Sequence, residues 1–226
     1  MKLGIHQPQF LPWINYFLKI EECDYFVILD SVDYQKNGLQ NRNQIKTING
    51  KSWLTVPVEN KLGCKISDIK ILNTNNWKKK HLGTIQQFYS KATLFNNYYP
   101  ELKKIYDKDW TLLSNFNLEL IKMMMSWLNI KTPLVLSSQL NLAGKSNELI
   151  VNICNKLNAD TYISGEGAKD YLDQNLFEES NINLTFSSKY TIKQYNQLYR
   201  EQGFMNDLSA IDIIFNCGDS WKKYLI

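Results

Sequence analysis

The residues that first suggest chemistry form the run His6-Gln7-Pro8-Gln9-Phe10-Leu11-Pro12-Trp13. His6 is one of two histidines and stands where a short apolar run, Lys2 to Ile5, gives way to polar, proline-bounded sequence. An imidazole at such a corner suits general acid–base work; a hydrogen-bonded packing role is the alternative. Gln7 and Gln9 offer amide donors and acceptors from a segment that Pro8 and Pro12 stiffen, which suits recognition of a polar ligand. Asp30 closes a second apolar run, Tyr25 to Leu29. Asn41-Arg42-Asn43 gathers amides around a guanidinium able to grip phosphate or carboxylate, or to serve as a plain surface turn.

Two further segments point toward anions. Trp77, Lys80 and His81 open a predicted helix, whose free N–H groups and dipole favour negative charge, although Lys78-Lys79-Lys80 also reads as a solvated face. Ser164-Gly165-Glu166-Gly167-Ala168 lies between a predicted strand and a predicted helix, so Ser164, Gly165 and Gly167 can bring backbone close to a phosphate or sugar. Gly144-Lys145-Ser146 ends like a P-loop, but Gln139 stands where its first glycine belongs, which excludes that nucleotide site. GxSxG and HExxH are absent. Lys46 and Lys51 flank a proposed hairpin turn and read as solvent-facing charges.

The elements that must position these groups follow from patterning. Strand at Lys2–Ile5, helix from Trp13 to Glu22 with Tyr16 and Phe17 on its apolar face, and strand at Tyr25–Leu29 make a βαβ unit. Gln44–Ile48 and Trp53–Val58 read as a hairpin around Asn49-Gly50. Trp77–Tyr89 is helical, and residues 101–130 form one or two more helices with a core stripe through Leu112, Phe116, Leu120 and Trp127. Strands at Leu134–Leu136, Thr161–Ser164 and Leu184–Phe186 alternate with helices at Ser146–Leu157 and residues 169–178, and a short helix spans Ala210–Phe215. The expectation is a single α/β domain over residues 1–226: an open, mostly parallel, Rossmann-like sheet with a mainly helical subdomain inserted at about 75–130. In such sheets ligands bind at the carboxyl ends of the strands. His6–Gln9, Asp30, Ser137-Ser138 and Ser164-Gly165 all follow predicted strands and would converge there.

Composition bounds the classes. Hydrophobic residues at 44% and charged residues at 21% are ordinary for a globular chain, and a net charge of +4 suits an anionic small molecule better than nucleic acid. Cys23, Cys64, Cys154 and Cys217 are widely spaced, with no CxxC pair, and the N-terminus carries no apolar leader. Free thiols, a cytoplasmic location, no metal site and no membrane span are the expectations.

Taken together, several segments resemble the WbqC-like family associated with bacterial O-antigen and polysaccharide biosynthesis. They are His6 to Trp13, Tyr16-Phe17 with Lys19, Phe26 to Asp30, Asn41-Arg42-Asn43, Trp53 to Val58, and Trp77 with Lys80-His81. Tyr162 to Ala168 with Tyr171-Leu172-Asp173, and Leu208 to Asp212 with Phe215-Asn216, complete the set. The departure is Asn15, where the family pattern has glycine. The resemblance implies tailoring of a nucleotide-linked amino sugar: N-acyl or aminoacyl transfer to its amine from a free or carrier-bound acyl donor. His6 and Asp30 would be catalytic, with Gln7, Gln9, Trp13, Tyr16, Asn41, Arg42, Asn43, Lys80, His81, Ser164, Gly165 and Gly167 binding substrate. No cofactor is required, though ATP is open as a co-substrate; homo-oligomerisation is likewise open. An ATP-dependent amide ligase working through an acyl-adenylate and a non-catalytic sugar-nucleotide-binding protein are the alternatives. A second likeness, architectural only, is to the nucleotidylyltransferase-like fold, whose HxGH motif is missing here.

Overall fold

A computed structural model of the chain describes residues 1–59, 63–188 and 190–226. The chain divides into two compact units, the first made of Met1–Pro8, Asn15–Val32 and Ile130–Lys189, the second of Gln9–Ile14, Asp33–Asn129 and Tyr190–Ile226. Neither is a continuous stretch.

The first unit is built on five parallel strands: β1 (Lys2–His6), β2 (Tyr25–Ile28), β5 (Leu134–Leu136), β6 (Thr161–Ser164) and β7 (Asn183–Phe186). Their order is β5-β2-β1-β6-β7. The chain leaves β1 through helix α1 (Ile14–Glu21) toward β2 and then β5, and returns through α5 (Ser146–Lys156) to the other side of β1. Strand order therefore reverses between β1 and β6, the doubly wound arrangement expected of alternating βα sequence. Leu3, Ile5, Val27 and Tyr162 bury against Leu149, Ile153 and Phe177, so the apolar runs that read as strands do form a core. β1 is tight against its surroundings at Gly4, where a Cβ would lie 2.5 Å from Cys23 Sγ and 2.6 Å from the Phe26 ring.

The second unit carries the hairpin β3 (Arg42–Thr47) and β4 (Gly50–Thr55), and helices α2 (Trp77–Tyr89), α3 (Phe95–Asp107), α4 (Leu113–Trp127) and α7 (Ile211–Cys217). An aromatic cluster of Trp77, Tyr106 and Phe116 fills its centre. The hairpin tip is Ile48-Asn49, one residue earlier than Asn49-Gly50. Thr47 Oγ1 takes the Asn49 N–H and donates to Gly50 O, and Gly50 supplies the positive φ of +93°. Helix α3 starts at Phe95 rather than beyond 100 and contains Pro100. Helix α6 covers only Gln174–Glu179 instead of 169–178, because Asp173 caps it by accepting from Leu176 N–H and a 3₁₀ turn at Glu166–Ala168 takes up the preceding chain.

Among the described residues no helix is long and apolar enough to cross a membrane. The four cysteines are free thiols.

The crowding at Gly4 gives a direct test. Gly4→Ala forces a methyl into Cys23 and Phe26, and the expected loss is about 1–3 kcal/mol in urea denaturation. Combining it with Cys23→Ala recovers only part, because the Phe26 ring remains in the way.

Candidate functional site

The carboxyl edge of the parallel sheet gathers the candidate groups of the first unit. His6 ends β1 opposite Ile28. On its other side β1 pairs with β6 up to Gly4 and Ile163, so Ser164 and Gly165 continue alongside Ile5 and His6. This is the point of strand-order reversal, where an open α/β sheet leaves a crevice. Ser164 is buried, whereas a Cβ on Gly165 or Gly167 would meet nothing within 4 Å, so the loop backbone is open to approach. Asp30, 1% exposed, sits at the neighbouring strand ends. Its carboxylate accepts from Ser137 Oγ at 3.1 Å, Ser138 N–H at 2.9 Å and Ser138 Oγ at 2.8 Å. Asp30 thus ties the end of β2 to the end of β5, and the hydrogen bonds it makes run away from His6.

His6 is held in a defined form. Its Nδ1 lies 3.1 Å from Gln7 O, which also accepts from Tyr16 Oη at 3.2 Å, and its ring meets the Tyr16 ring edge-on at 5.0 Å. A carbonyl only accepts, so Nδ1 carries the proton and Nε2 is the basic nitrogen. Burial pushes the His6 pKa down to about 4, helped by the nearby positive charge of Lys19. Tyr16 is buried and pushed up by the same cause, so it stays a hydroxyl donor.

Beyond its place in a family-like segment, Lys19 carries no spacing or charge pattern in the sequence that marks it out. It is 5% exposed on a helix buried on nearly every side, and donates to Ile5 O at 2.8 Å beside the rings of Phe26 and Tyr162. Burial lowers its pKa to about 8. A lysine flanked by Phe17, Leu18 and Ile20 within a short apolar helix was the available signal.

In the second unit the segment Gln9–Ile14 is shaped by a strained backbone. Leu11 adopts φ +42°, left-handed and uncommon for a branched side chain, while itself fully buried. Hydrogen bonds hold it: Phe10 N–H to Leu39 O at 2.9 Å, Asn43 Nδ2 to Leu11 O at 2.8 Å, and Ala210 N–H to Pro12 O at 2.8 Å. Asn43 also accepts from Gln44 N–H, so both ends of its amide are committed to this scaffold. Trp13 pairs its backbone with Ser209, and the residue is 37% exposed.

The remaining candidates divide into two kinds. Gln9 and Asn41 are buried, and Gln9 Oε1 and Asn41 Oδ1 receive no donor among the described residues, while Asn41 Nδ2 donates to Val56 O. A buried acceptor left unmet costs about 1–3 kcal/mol, which a ligand N–H or O–H would recover. Arg42 stacks on Trp53 at 4.4 Å and donates to Asn37 O at 2.5 Å, with its Nε unmet by the described residues. Lys80 is exposed on the first turn of α2, whose N-cap Asn76 is left-handed and offers no side-chain cap. His81 is 6% exposed and engaged at both ring nitrogens, Nε2–H donating to Thr55 O at 3.1 Å and Nδ1 facing Tyr106 Oη at 3.3 Å. Its ring packs on Phe10 and Trp77, and burial lowers its pKa to about 4. Lys46 departs from expectation: it is 1% exposed rather than solvent-facing, while Lys51 forms a surface ion pair with Asp207. No group of three or more His, Cys, Asp or Glu among the described residues could hold a metal.

Comparison with known proteins gives one coherent result. The model of the WbqC-like protein family matches residues 7–224. The uncharacterized protein Rv1507c of Mycobacterium tuberculosis is 35% identical over 227 residues, covering 99% of this chain and 97% of its own. No solved structure matches the chain.

The two suppressed histidines predict acid sensitivity of a definite sign. The unfolded chain takes up these protons near 6.5, the folded chain only near 4. Their contribution is therefore complete above about pH 6.5 and is lost as the pH falls toward 4. For His81 the loss approaches about 3 kcal/mol. Urea titrations across this range should show stability falling with acid, and His81→Gln should shallow that fall by about one proton's worth of slope.

Proposed function

The chain belongs to the WbqC-like protein family, and we propose that it transfers an acyl or aminoacyl group to the amine of a nucleotide-linked amino sugar in polysaccharide biosynthesis. The observation that carries this reading is His6 at the reversal point of a doubly wound sheet, neutral and with Nδ1 committed to Gln7 O. The basic Nε2 then accepts the proton that the sugar amine sheds as it attacks the acyl carbonyl. A new C–N bond forms, the bond from the acyl carbon to its carrier breaks, and the proton on Nε2 passes to the leaving group. Lys19 favours this brief tenure by making the imidazolium unfavourable.

The phosphate and sugar of the nucleotide-linked acceptor suit the open backbone at Gly165 and Gly167, beside the end of β1. Asp30 serves as a positioning residue, through the β2 and β5 edge rather than through the imidazole.

The test is product formation, followed by mass spectrometry, from nucleotide-linked amino sugars incubated with thioester acyl donors, with and without ATP. His6→Ala should lose turnover by about 10²–10⁴ while its circular dichroism is unchanged. Near-wild-type turnover in that variant removes His6 from the chemistry. Pyrophosphate release dependent on the acyl donor would assign acyl activation to the protein itself. Because His6 titrates near 4, kcat/KM should show no histidine-like inflection between about pH 6 and 8.

A further inference from the structure

The second unit holds a cavity of about 420 Å³ lined in part by Lys46, Tyr195, Gln197, Arg200, Phe204 and Tyr224. That volume lies in the range of small-molecule sites, about 300–1,000 Å³. Its chemistry is set by Lys46, which is 1% exposed yet lines the cavity. The ammonium donates to Gln197 Oε1 at 3.0 Å and Gly203 O at 2.6 Å, both uncharged acceptors. No carboxylate among the described residues comes within ion-pair distance of it. Two acids, Asp212 and Glu201, act on it from farther off, and Asp212 is occupied elsewhere: it accepts from Tyr195 Oη at 2.5 Å, Tyr89 Oη at 2.7 Å and Gln197 Nε2 at 2.9 Å.

Gln197 separates the two charges. Its orientation is set at both ends, since Met205 N–H donates to Oε1 and Nε2 donates to Met205 O. The amide therefore turns its oxygen to Lys46 and its nitrogen to Asp212, so burial lowers the lysine's pKa with only the more distant charges of Asp212 and Glu201 opposing it. A buried ammonium with a third N–H and no direct counter-ion favours an anion beside it. Arg200, exposed at the rim and bonded to Asn196 Oδ1 at 3.2 Å, adds a second cation. Tyr195 stands edge-on to Phe204 at 5.2 Å and to Tyr224 at 5.6 Å, giving the cavity aromatic walls.

We propose that this cavity binds a small molecule combining an anionic group, carboxylate or phosphate, with a flat ring: the anion on Lys46 and Arg200, the ring against Phe204 and Tyr224. The inference stands apart from the reading of His6, since every residue it uses belongs to the second unit.

Isothermal titration of the full chain with uridine 5′-monophosphate, adenosine 5′-monophosphate, benzoate and inorganic phosphate tests it. Saturable binding of at least one ring-bearing probe, tighter than inorganic phosphate, is expected. A nucleotide that binds while benzoate does not identifies phosphate as the anion; the reverse identifies carboxylate. Arg200→Gln and Phe204→Ala, both at partly or fully exposed positions, should each weaken binding by about tenfold. Lys46→Met should abolish it, and the two rim variants decide the matter should that buried substitution unfold the chain. His6→Ala should bind as wild type does, so loss of turnover there and loss of binding here are separate results. The proposal is overturned if no ring-bearing probe saturates, if phosphate binds as tightly as they do, or if both rim variants bind unchanged.

Discussion

The left-handed backbone at Leu11 is the constraint on which the second unit is organised. A buried leucine does not adopt φ +42° unaided, and proline on either side of the segment removes donors that could have paired it in regular structure. The surrounding chain provides the compensation: Leu39 O, Asn43 Nδ2 and Ala210 N–H each meet one peptide of the loop, and His81 and Phe116 pack on Phe10. These partners come from segments far apart in sequence. Asn43, His81 and Ala210 also lie in segments that resemble the family's pattern, so part of the motif describes a scaffold for one turn of chain rather than a set of reactive groups.

That distinction explains what could be read in advance. The parallel strands, the hairpin and α2 were legible, because apolar runs bounded by turn residues encode them locally. His6, Asp30, Ser137-Ser138 and Ser164-Gly165 could be placed at strand ends for the same reason. Their partners could not. Whether Asp30 faces an imidazole or two serines depends on β5, which lies on the far side of a long insertion. Lys46 looked like any hairpin lysine, since its burial is decided by residues 195–205, whose irregular backbone leaves no periodic trace. The start of α6 lies at Gln174 rather than at residue 169 because a single aspartate cap outweighs helix propensity over the residues before it.

Electrostatics divide the buried basic groups into two classes. His6 and His81 are kept neutral by burial, reinforced at His6 by the Lys19 charge, against carbonyl hydrogen bonds that favour the protonated ring. Neutral imidazole costs little to bury and can accept hydrogen bonds, so it is economical inside a packed unit. Lys19 and Lys46 are instead held by backbone and amide oxygens, each close enough to influence a neighbouring titrating group. Buried cations fed only by neutral oxygens are an expense that packing does not require, which is why they mark the places where chemistry or binding is to be sought.

The interleaving of the two units has a consequence for how the chain reaches its native state. During synthesis β1 and β2 emerge close together, yet β2 must wait about a hundred residues for its neighbour β5, and β1 waits longer still for β6. The sheet therefore begins as a two-stranded fragment, below the size that is stable alone. Residues 9–14 are likewise left waiting, since Ala210, which fixes Pro12, lies about two hundred residues further along the chain. Closure of both units is a late, long-range event, which makes this a slow-folding topology whose early strands need protection from premature pairing.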